Sequence, residues 1–159
     1  MMEEKEKAWK TVSSKYLFRR PWLTVRCEDM LLPNGNHIPE YYILEYPDWV
    51  NTIAITKDGK FVFVRQYRPG LGRTSYELCA GVCDKEDASP LVSAQRELWE
   101  ETGYGKGNWQ EYMVISANPS THTNLTHCFL ATDVEPIDHQ HLEDTEAVSY
   151  THLTLPTTE

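Results

Sequence analysis

The feature that most constrains the fold is one well-delimited helix among short alternating segments. Residues 90–102 have a proline at the start and Gly103 just past the end, as expected for an α-helix with both termini marked. Strand-like segments precede and follow this helix along the chain, so its apolar side needs a sheet to pack against. The sequence therefore predicts a mixed sheet covered by helices, in the α/β or α+β class.

The alternating segments are separated by clear turn signals. Pro33-Asn34-Gly35-Asn36 and Lys57-Asp58-Gly59-Lys60 each predict a hairpin, and Tyr46-Pro47-Asp48 interrupts the pattern. We therefore expect a small antiparallel β-unit over residues 1–48 and a second domain over residues 49–147. The predicted strands are 15–19, 23–32, 37–44, 51–56, 61–66, 75–80, 112–116 and 127–132.

Composition excludes several classes of protein. The chain has 159 residues and a formal net charge of -9, whereas a nucleic-acid-binding protein needs a basic face. No run approaches the roughly 18 apolar residues of a membrane span, and the charged amino end lacks the apolar region of a secretory signal. We interpret the closely spaced Cys79 and Cys83 as ordinary thiols, with metal ligation as the alternative. We expect no nucleic-acid partner, no membrane span and a reducing, cytoplasmic setting.

Three glutamates lie close together on the predicted helix. Because each helical residue turns by about 100°, Glu97, Glu100 and Glu101 fall within an arc of about 100°. Like charges at this spacing repel, and glutamates near the carboxyl end of a helix oppose its dipole. A sequence selected for stability alone would avoid this arrangement, whereas bound Mg²⁺ would offset both penalties. The alternative is a solvated acidic face.

The residues around these glutamates resemble a known family. A strand followed by a turn at Gly81, an acidic loop and the run from Arg96 to Gly103 resemble the Nudix box. Asp87 stands at the loop position where the family has glutamate, with eight residues instead of seven before Arg96, and Glu86 is the alternative for that position.

The resemblance extends over roughly residues 16–146. The segments Val62–Arg68, Tyr76–Gly81 and Asn118–Asn124 are similar to the ADP-ribose pyrophosphatase branch. This implies a Nudix-type α/β/α sandwich with a mixed sheet, and an amino-terminal β-unit that exchanges across a homodimer. It also implies hydrolysis of the diphosphate of a nucleotide-sugar such as ADP-ribose, giving a nucleoside monophosphate and a sugar phosphate. The alternative is a non-catalytic module that binds such a ligand.

The resemblance also implies a metal site. The carbonyl of Ala80 and the carboxylates of Glu97 and Glu101 would bind Mg²⁺, with Mn²⁺ as the alternative ion. Glu100 would complete or bridge the site. Arg96 would orient the glutamates through charge-assisted hydrogen bonds. The chemistry implied is attack of water on phosphorus with metal assistance.

The same resemblance assigns groups to the substrate and to proton transfer. Arg68 would hold a phosphate, and Glu77 would face the substrate. The general base would come from the acidic loop at residues 141–146, where Glu146 matches best and Glu143 and Asp144 compete. A solvated acidic loop is the alternative.

Residues 148–159 differ in character from the rest. The run from Val148 is rich in threonine and similar to the translation of a sequencing adapter read in frame. We expect this segment to be non-native and to pack weakly, and we expect the closing strand and helix of the family to be missing.

Overall fold

The structure, a computed structural model, describes residues 7–142, 144 and 147–154. The described chain divides into two compact units. The first contains residues up to 46 together with 116–124, and the second contains 47–115 together with the residues from 125 onward. No helix in the described ranges is both long enough and apolar enough to cross a membrane.

The first unit is an antiparallel sheet of three strands, β1 (Lys10–Arg20), β2 (Leu23–Leu31) and β3 (His37–Glu45). The predicted antiparallel amino-terminal sheet is thus confirmed. Strand β1 begins five residues before the predicted start at Lys15. The reason is that bulges between Thr11 and Ser13 and between Tyr16 and Phe18 shift its register against β2, which breaks the alternation that the sequence pattern depends on.

Residues 116–124 join this unit through β3. The amide of Leu44 donates to the carbonyl of Thr121 over 2.8 Å, and the amide of Thr123 donates to the carbonyl of Leu44 over 3.1 Å. The Tyr41 hydroxyl donates to the carbonyl of Ser120. This loop therefore continues the hydrogen bonding of β3.

The second unit is a mixed sheet with one described helix, α1 (Pro90–Thr102). The strands are β4 (Trp49–Thr56), β5 (Phe61–Arg68), β6 (Arg73–Glu77), β7 (Cys79–Val82), β8 (Tyr104–Gly105), β9 (Asn108–Ile115), β10 (Thr126–Pro136) and β11 (Val148–Leu153). The main strand order is β11-β5-β4-β10-β8, while β6, β7 and β9 pair with β5, β4 and β10 respectively. Strands β4 and β10 run parallel and the other pairs run antiparallel. The predicted mixed α/β class is confirmed.

Helix α1 has the predicted bounds because both ends carry strong signals. The Ser89 hydroxyl accepts a hydrogen bond from the amide of Val92, and Gly103 closes the helix in the left-handed conformation, with φ of 71°. Ala94 and Leu98 are fully buried, whereas Leu91 at the start of the helix is exposed. The buried face packs on sheet residues that include Val62 and Val64.

The segment predicted as one strand at residues 75–80 is two strands. Strand β6 pairs with β5, and β7 pairs with β4, so the chain changes partner at Leu78. Gly81 consequently lies inside β7 and not in the turn we expected there. Local sequence does not encode such a change of partner strand, because the change depends on strands that are distant along the chain.

The expectation that the chain from Val148 onward packs weakly is wrong for residues 148–153. Strand β11 pairs with β5 from Val148 opposite Gln66 to Leu153 opposite Phe61. Val148 is buried, and a ring nitrogen of His152 lies 2.7 Å from the Tyr104 hydroxyl oxygen. The non-native origin of the segment stays a prediction.

Candidate active site

The candidate site is centred on the guanidinium of Arg96 on α1. Its Nη1 donates to Oε1 of Glu97 over 3.0 Å and to Oε2 of Glu100 over 2.9 Å. The two carboxylates are therefore fixed by one rigid, planar group.

The acidic loop before α1 also contacts this guanidinium. Oδ2 of Asp87 accepts from Nε and Nη2 of Arg96 over 3.2 and 3.1 Å, and from the Ser93 hydroxyl over 2.8 Å. Asp84 lies 3.3 Å from Nη2, whereas Glu86 is exposed. Asp87 thus hydrogen-bonds to Arg96 through two nitrogens, and Asp84 of the same loop forms an ion pair with it.

Both partners of this ion pair are held in their charged forms. Burial alone would raise the pKa of Asp87, but hydrogen bonds from Ser93 and Arg96 outweigh it and lower the pKa. Partial burial would lower the pKa of Arg96, but its bond to Asp87 and the charges of Glu97 and Glu100 raise it further above its usual range.

The register of β7 determines which backbone groups face α1. The amide of Cys83 donates to the carbonyl of Asp48 over 2.8 Å, and hydrogen-bonded and non-hydrogen-bonded pairs alternate along an antiparallel ladder. The pair of Ala80 and Asn51 is therefore of the non-hydrogen-bonded kind. The amide and carbonyl of Ala80 both point away from β4.

Side chains from α1 bond to this outward edge. The amide of Ala80 donates to Oε2 of Glu101 over 3.3 Å, and the carbonyl of Val82 accepts from Nη2 of Arg96 over 3.0 Å. Because the Ala80 carbonyl points to the same side as its amide, it faces the region of the Glu101 carboxylate. This is the backbone oxygen that the sequence resemblance indicated as a metal ligand.

Gly81 leaves space for the carboxylate of Glu97. A Cβ built at position 81 would lie 2.0 Å from Cδ of Glu97, far inside van der Waals contact. The backbone of Gly81 does not have the positive φ that requires glycine elsewhere in the chain. This position therefore needs glycine for close approach, and the carboxylate occupies the place of its missing side chain.

The chemistry of these groups fits a hard divalent cation. Four carboxylates, those of Asp84, Asp87, Glu97 and Glu100, lie within ion-pair distance of the single guanidinium. One positive charge does not balance four negative ones among these residues, so a further cation is favoured. Carboxylate and carbonyl oxygens are the ligands that Mg²⁺ takes in proteins.

The three helix glutamates do not converge on one point. The carboxylate of Glu97 packs against Gly81, and that of Glu101 accepts a hydrogen bond from the amide of Ala80. The carboxylate of Glu100 accepts a hydrogen bond from Arg96. In the described parts of the chain these three do not bring one oxygen each within 4.8 Å of one another. Glu97 thus contacts both the β7 edge, which it shares with Glu101, and Arg96, which it shares with Glu100.

The two residues predicted to contact substrate form an ion pair with each other. Nε and Nη2 of Arg68 on β5 lie 2.9 and 2.7 Å from Oε2 of Glu77 on β6.

Of the residues predicted for proton transfer, Glu146 and Glu143 lie outside the described residues, and Asp144 is exposed.

Sequence reasoning missed the contribution of Ser93. This fully buried residue supports Asp87 from inside α1, and a serine on the buried face of a helix is the signal that points to it. None of the four cysteines forms a disulfide; Cys79 is buried and Cys83 is half-buried, and their interpretation as ordinary thiols stays a prediction. Cys79 is buried beside Glu101, and burial together with that carboxylate raises the pKa of its thiol.

Comparisons with known proteins agree with this architecture. Residues 46–158 match the sequence model of the family described as "NUDIX domain", and residues 9–44 match that of the "Nucleoside diphosphate sugar hydrolase N-terminal domain". A crystal structure described as an ADP compounds hydrolase superposes with a TM-score of 0.80 over 92% of this chain and 78% of that chain. Its sequence identity is 21%, so it supports the fold.

Characterised relatives cover most of the chain. An ADP-ribose pyrophosphatase of Bacillus subtilis is 31% identical over 147 residues, which is 92% of this chain and 78% of the relative. A methanol dehydrogenase activator of Bacillus methanolicus matches at the same identity and coverage. An ADP-ribose pyrophosphatase of Mycobacterium tuberculosis is 28% identical over 89% of this chain and 68% of its own length.

The sequence resemblance to Nudix proteins is therefore confirmed, and an enzyme is favoured over a non-catalytic binding module. With a matched domain that spans well over half of its length, this protein belongs to the NUDIX family, as a hydrolase of nucleoside diphosphate derivatives similar to ADP-ribose pyrophosphatases.

Proposed function

We propose that the chain hydrolyses the diphosphate of ADP-ribose or a related nucleotide-sugar in the presence of Mg²⁺, with Mn²⁺ as the alternative ion. The observation that carries the proposal is the carboxylate cluster around Arg96, with Glu97 seated on Gly81 next to the outward carbonyl of Ala80. The names of two relatives, both ADP-ribose pyrophosphatases, support the substrate class.

Glu97, Glu101 and the carbonyl of Ala80 would hold the ion, and Glu100 would complete the site. A bound Mg²⁺ neutralises charge on a diphosphate and lowers the pKa of water that it binds. The contribution of the chain is preorganisation. Arg96 fixes Glu97 and Glu100, and the β7 backbone fixes Glu101, so little rearrangement accompanies the reaction.

Arg68 would bind a phosphate of the substrate while still paired with Glu77. The pair uses Nε and Nη2, and a guanidinium has five N–H donors, so the donors on Nη1 can reach a phosphate oxygen. Glu77 would keep the guanidinium in place. The contact is thus charge-assisted and directional.

In the reaction, the oxygen of a water molecule bonds to phosphorus and the bridging P–O bond breaks. The electron pair of that bond stays with the leaving phosphate oxygen, giving AMP and a sugar phosphate. The proton of the water passes to a carboxylate. We assign this role to Glu146 on the resemblance of its loop to that of the family, with Glu143 and Asp144 as the competing residues.

We also propose a homodimer in which a second copy covers the first unit. Strand β1 is exposed along its whole length, and Phe18 and Trp22 are 54% and 76% exposed. A three-stranded sheet with so much exposed apolar surface is marginal alone and indicates an interface. The four free thiols are compatible with the reducing cytoplasm that we propose as its location.

The test is an assay of purified protein with ADP-ribose and a panel of other nucleotide-sugars, followed by chromatography of the products. We expect AMP and ribose phosphate with Mg²⁺, loss of activity with a chelator, and its return when Mg²⁺ is added in excess. A folded protein that cleaves none of the panel with either ion contradicts the proposed reaction. Cleavage of another member in preference to ADP-ribose corrects the substrate.

A further inference from the structure

A second group of potential metal ligands lies on the loop after β10. Asp138, His139 and His141 each offer one ligand atom, and these atoms all lie within 4.8 Å of one another. Oδ1 of Asp138 is 2.7 Å from Nδ1 of His139, and Oδ2 is 3.0 Å from Nε2 of His141. None of these residues belongs to the carboxylate site on α1.

The ligand atoms lie near enough to one another to share a transition metal. Two ligands of a tetrahedral Zn²⁺ at about 2.0–2.1 Å lie about 3.3–3.4 Å apart, so the hydrogen-bonded separations of 2.7 and 3.0 Å between Asp138 and the two histidines would widen by about 0.3–0.7 Å when an ion binds. Two imidazoles and one carboxylate form a borderline ligand set, which favours Zn²⁺ and its neighbours over Mg²⁺. The set therefore differs in chemistry from the all-oxygen cluster around Arg96.

The loop that carries these ligands is docked on the carboxyl end of α1. The amide of His141 donates to the carbonyl of Glu100 over 2.8 Å, and the His141 ring stacks on Trp99 with a centroid distance of 4.3 Å. The side chain of Gln140 donates to the carbonyl of Glu101 over 2.7 Å. The Asp138 amide also donates to the carbonyl of Gly103 over 3.1 Å, so two of the three ligand residues, Asp138 and His141, are anchored on this end of the helix before an ion arrives, which reduces the entropic cost of binding.

We propose that Asp138, His139 and His141 form a binding site for a borderline divalent ion of the Zn²⁺ class, separate from the Mg²⁺ site. His139 is 79% exposed at its side chain, so an ion reaches the cluster directly from solvent. The nearby carbonyls at the carboxyl end of α1 carry partial negative charge and favour a cation. Because the loop is hydrogen-bonded to α1, an ion bound here also stabilises the carboxyl end of that helix.

Calorimetric titration with ZnCl₂ in millimolar Mg²⁺ tests the proposal, because Mg²⁺ occupies oxygen-only sites and competes poorly for imidazole. We expect one Zn²⁺ per chain for the wild type, and affinity about tenfold lower or worse for His139→Gln. The matched control is His37→Gln, since His37 pairs with a single aspartate, Asp29, at 3.0 Å. This control should bind Zn²⁺ like the wild type.

Thermal unfolding gives a second readout on the same proteins. A ligand that binds only the folded state raises Tm, so Zn²⁺ should raise Tm of the wild type and of His37→Gln more than that of His139→Gln. Asp138→Asn serves as a second variant if His139→Gln does not fold. A wild type that takes up no Zn²⁺ overturns the proposal. So does a His139→Gln protein whose affinity stays within about threefold of the wild type.

Discussion

Replacing Gly81 by alanine tests the geometry of the candidate site most directly. The new Cβ would lie 2.0 Å from Cδ of Glu97, whereas ordinary contact begins at 3.4 Å, so the carboxylate must move by about 1.4 Å. That shift breaks the 3.0 Å bond between Glu97 and Nη1 of Arg96. A misplacement of about 1 Å at a reacting centre can lower the rate about 10²-fold, so we expect at least this loss in kcat/KM for ADP-ribose.

The same change should destabilise the fold only moderately. Overpacking costs about 1–3 kcal/mol, and each kcal/mol lowers Tm by about 2–4 °C in a chain of this size. Gly70→Ala is the matched control, because a Cβ there meets nothing within 4 Å and the residue lacks a positive φ. Adding Glu97→Asp to Gly81→Ala should relieve the clash and restore Tm without restoring activity, since the shorter carboxylate no longer reaches its position. If Gly81→Ala folds and keeps activity within about threefold of the wild type, the assignment of Glu97 is wrong.

Three further predictions concern the same enzyme. Glu101→Gln should lower kcat about 10²-fold or more with an unchanged circular dichroism spectrum. The control Glu86→Gln, a change in the exposed acidic loop, should keep the kcat of the wild type. A fully active Glu101→Gln enzyme would show that Glu101 is not a metal ligand. Asp87→Asn removes one of the four carboxylate charges around Arg96 and should lower kcat about tenfold with little change in KM, so an unchanged kcat would argue against a positioning role of Asp87. Sedimentation should show a dimer of the active protein, and a strictly monomeric active enzyme would contradict the proposed homodimer.

Features encoded by neighbouring residues were predictable from the sequence. The bounds of α1 were predicted correctly because Pro90 and Gly103 mark its ends within a few residues. The start of β1 at Lys10 was not predicted, because two bulges interrupt the alternation of the strand. The division between β6 and β7 depends on two different partner strands, and no local pattern encodes it.

The candidate site was likewise only partly predictable from the sequence. The glutamates of α1 could be identified because their spacing on one helix is fixed by its geometry. The contact between Asp87 and Arg96 joins a loop to a helix, so its existence depends on the path of the loop. The role of Gly81 was misread as a turn because glycine has two uses in proteins, a positive φ and close approach, and only coordinates distinguish them.

The edge of β7 has a consequence for solubility as well as for catalysis. An unpaired strand edge presents amides and carbonyls to which another chain can add, and such edges promote aggregation. Here the carbonyl of Val82 and the amide of Ala80 are occupied by Arg96 and Glu101 instead of by another strand. Losing Arg96 would therefore open this edge to intermolecular pairing while it disorganises the active site. An inactive Arg96 variant recovered in inclusion bodies would have failed through self-association as well as through lost chemistry.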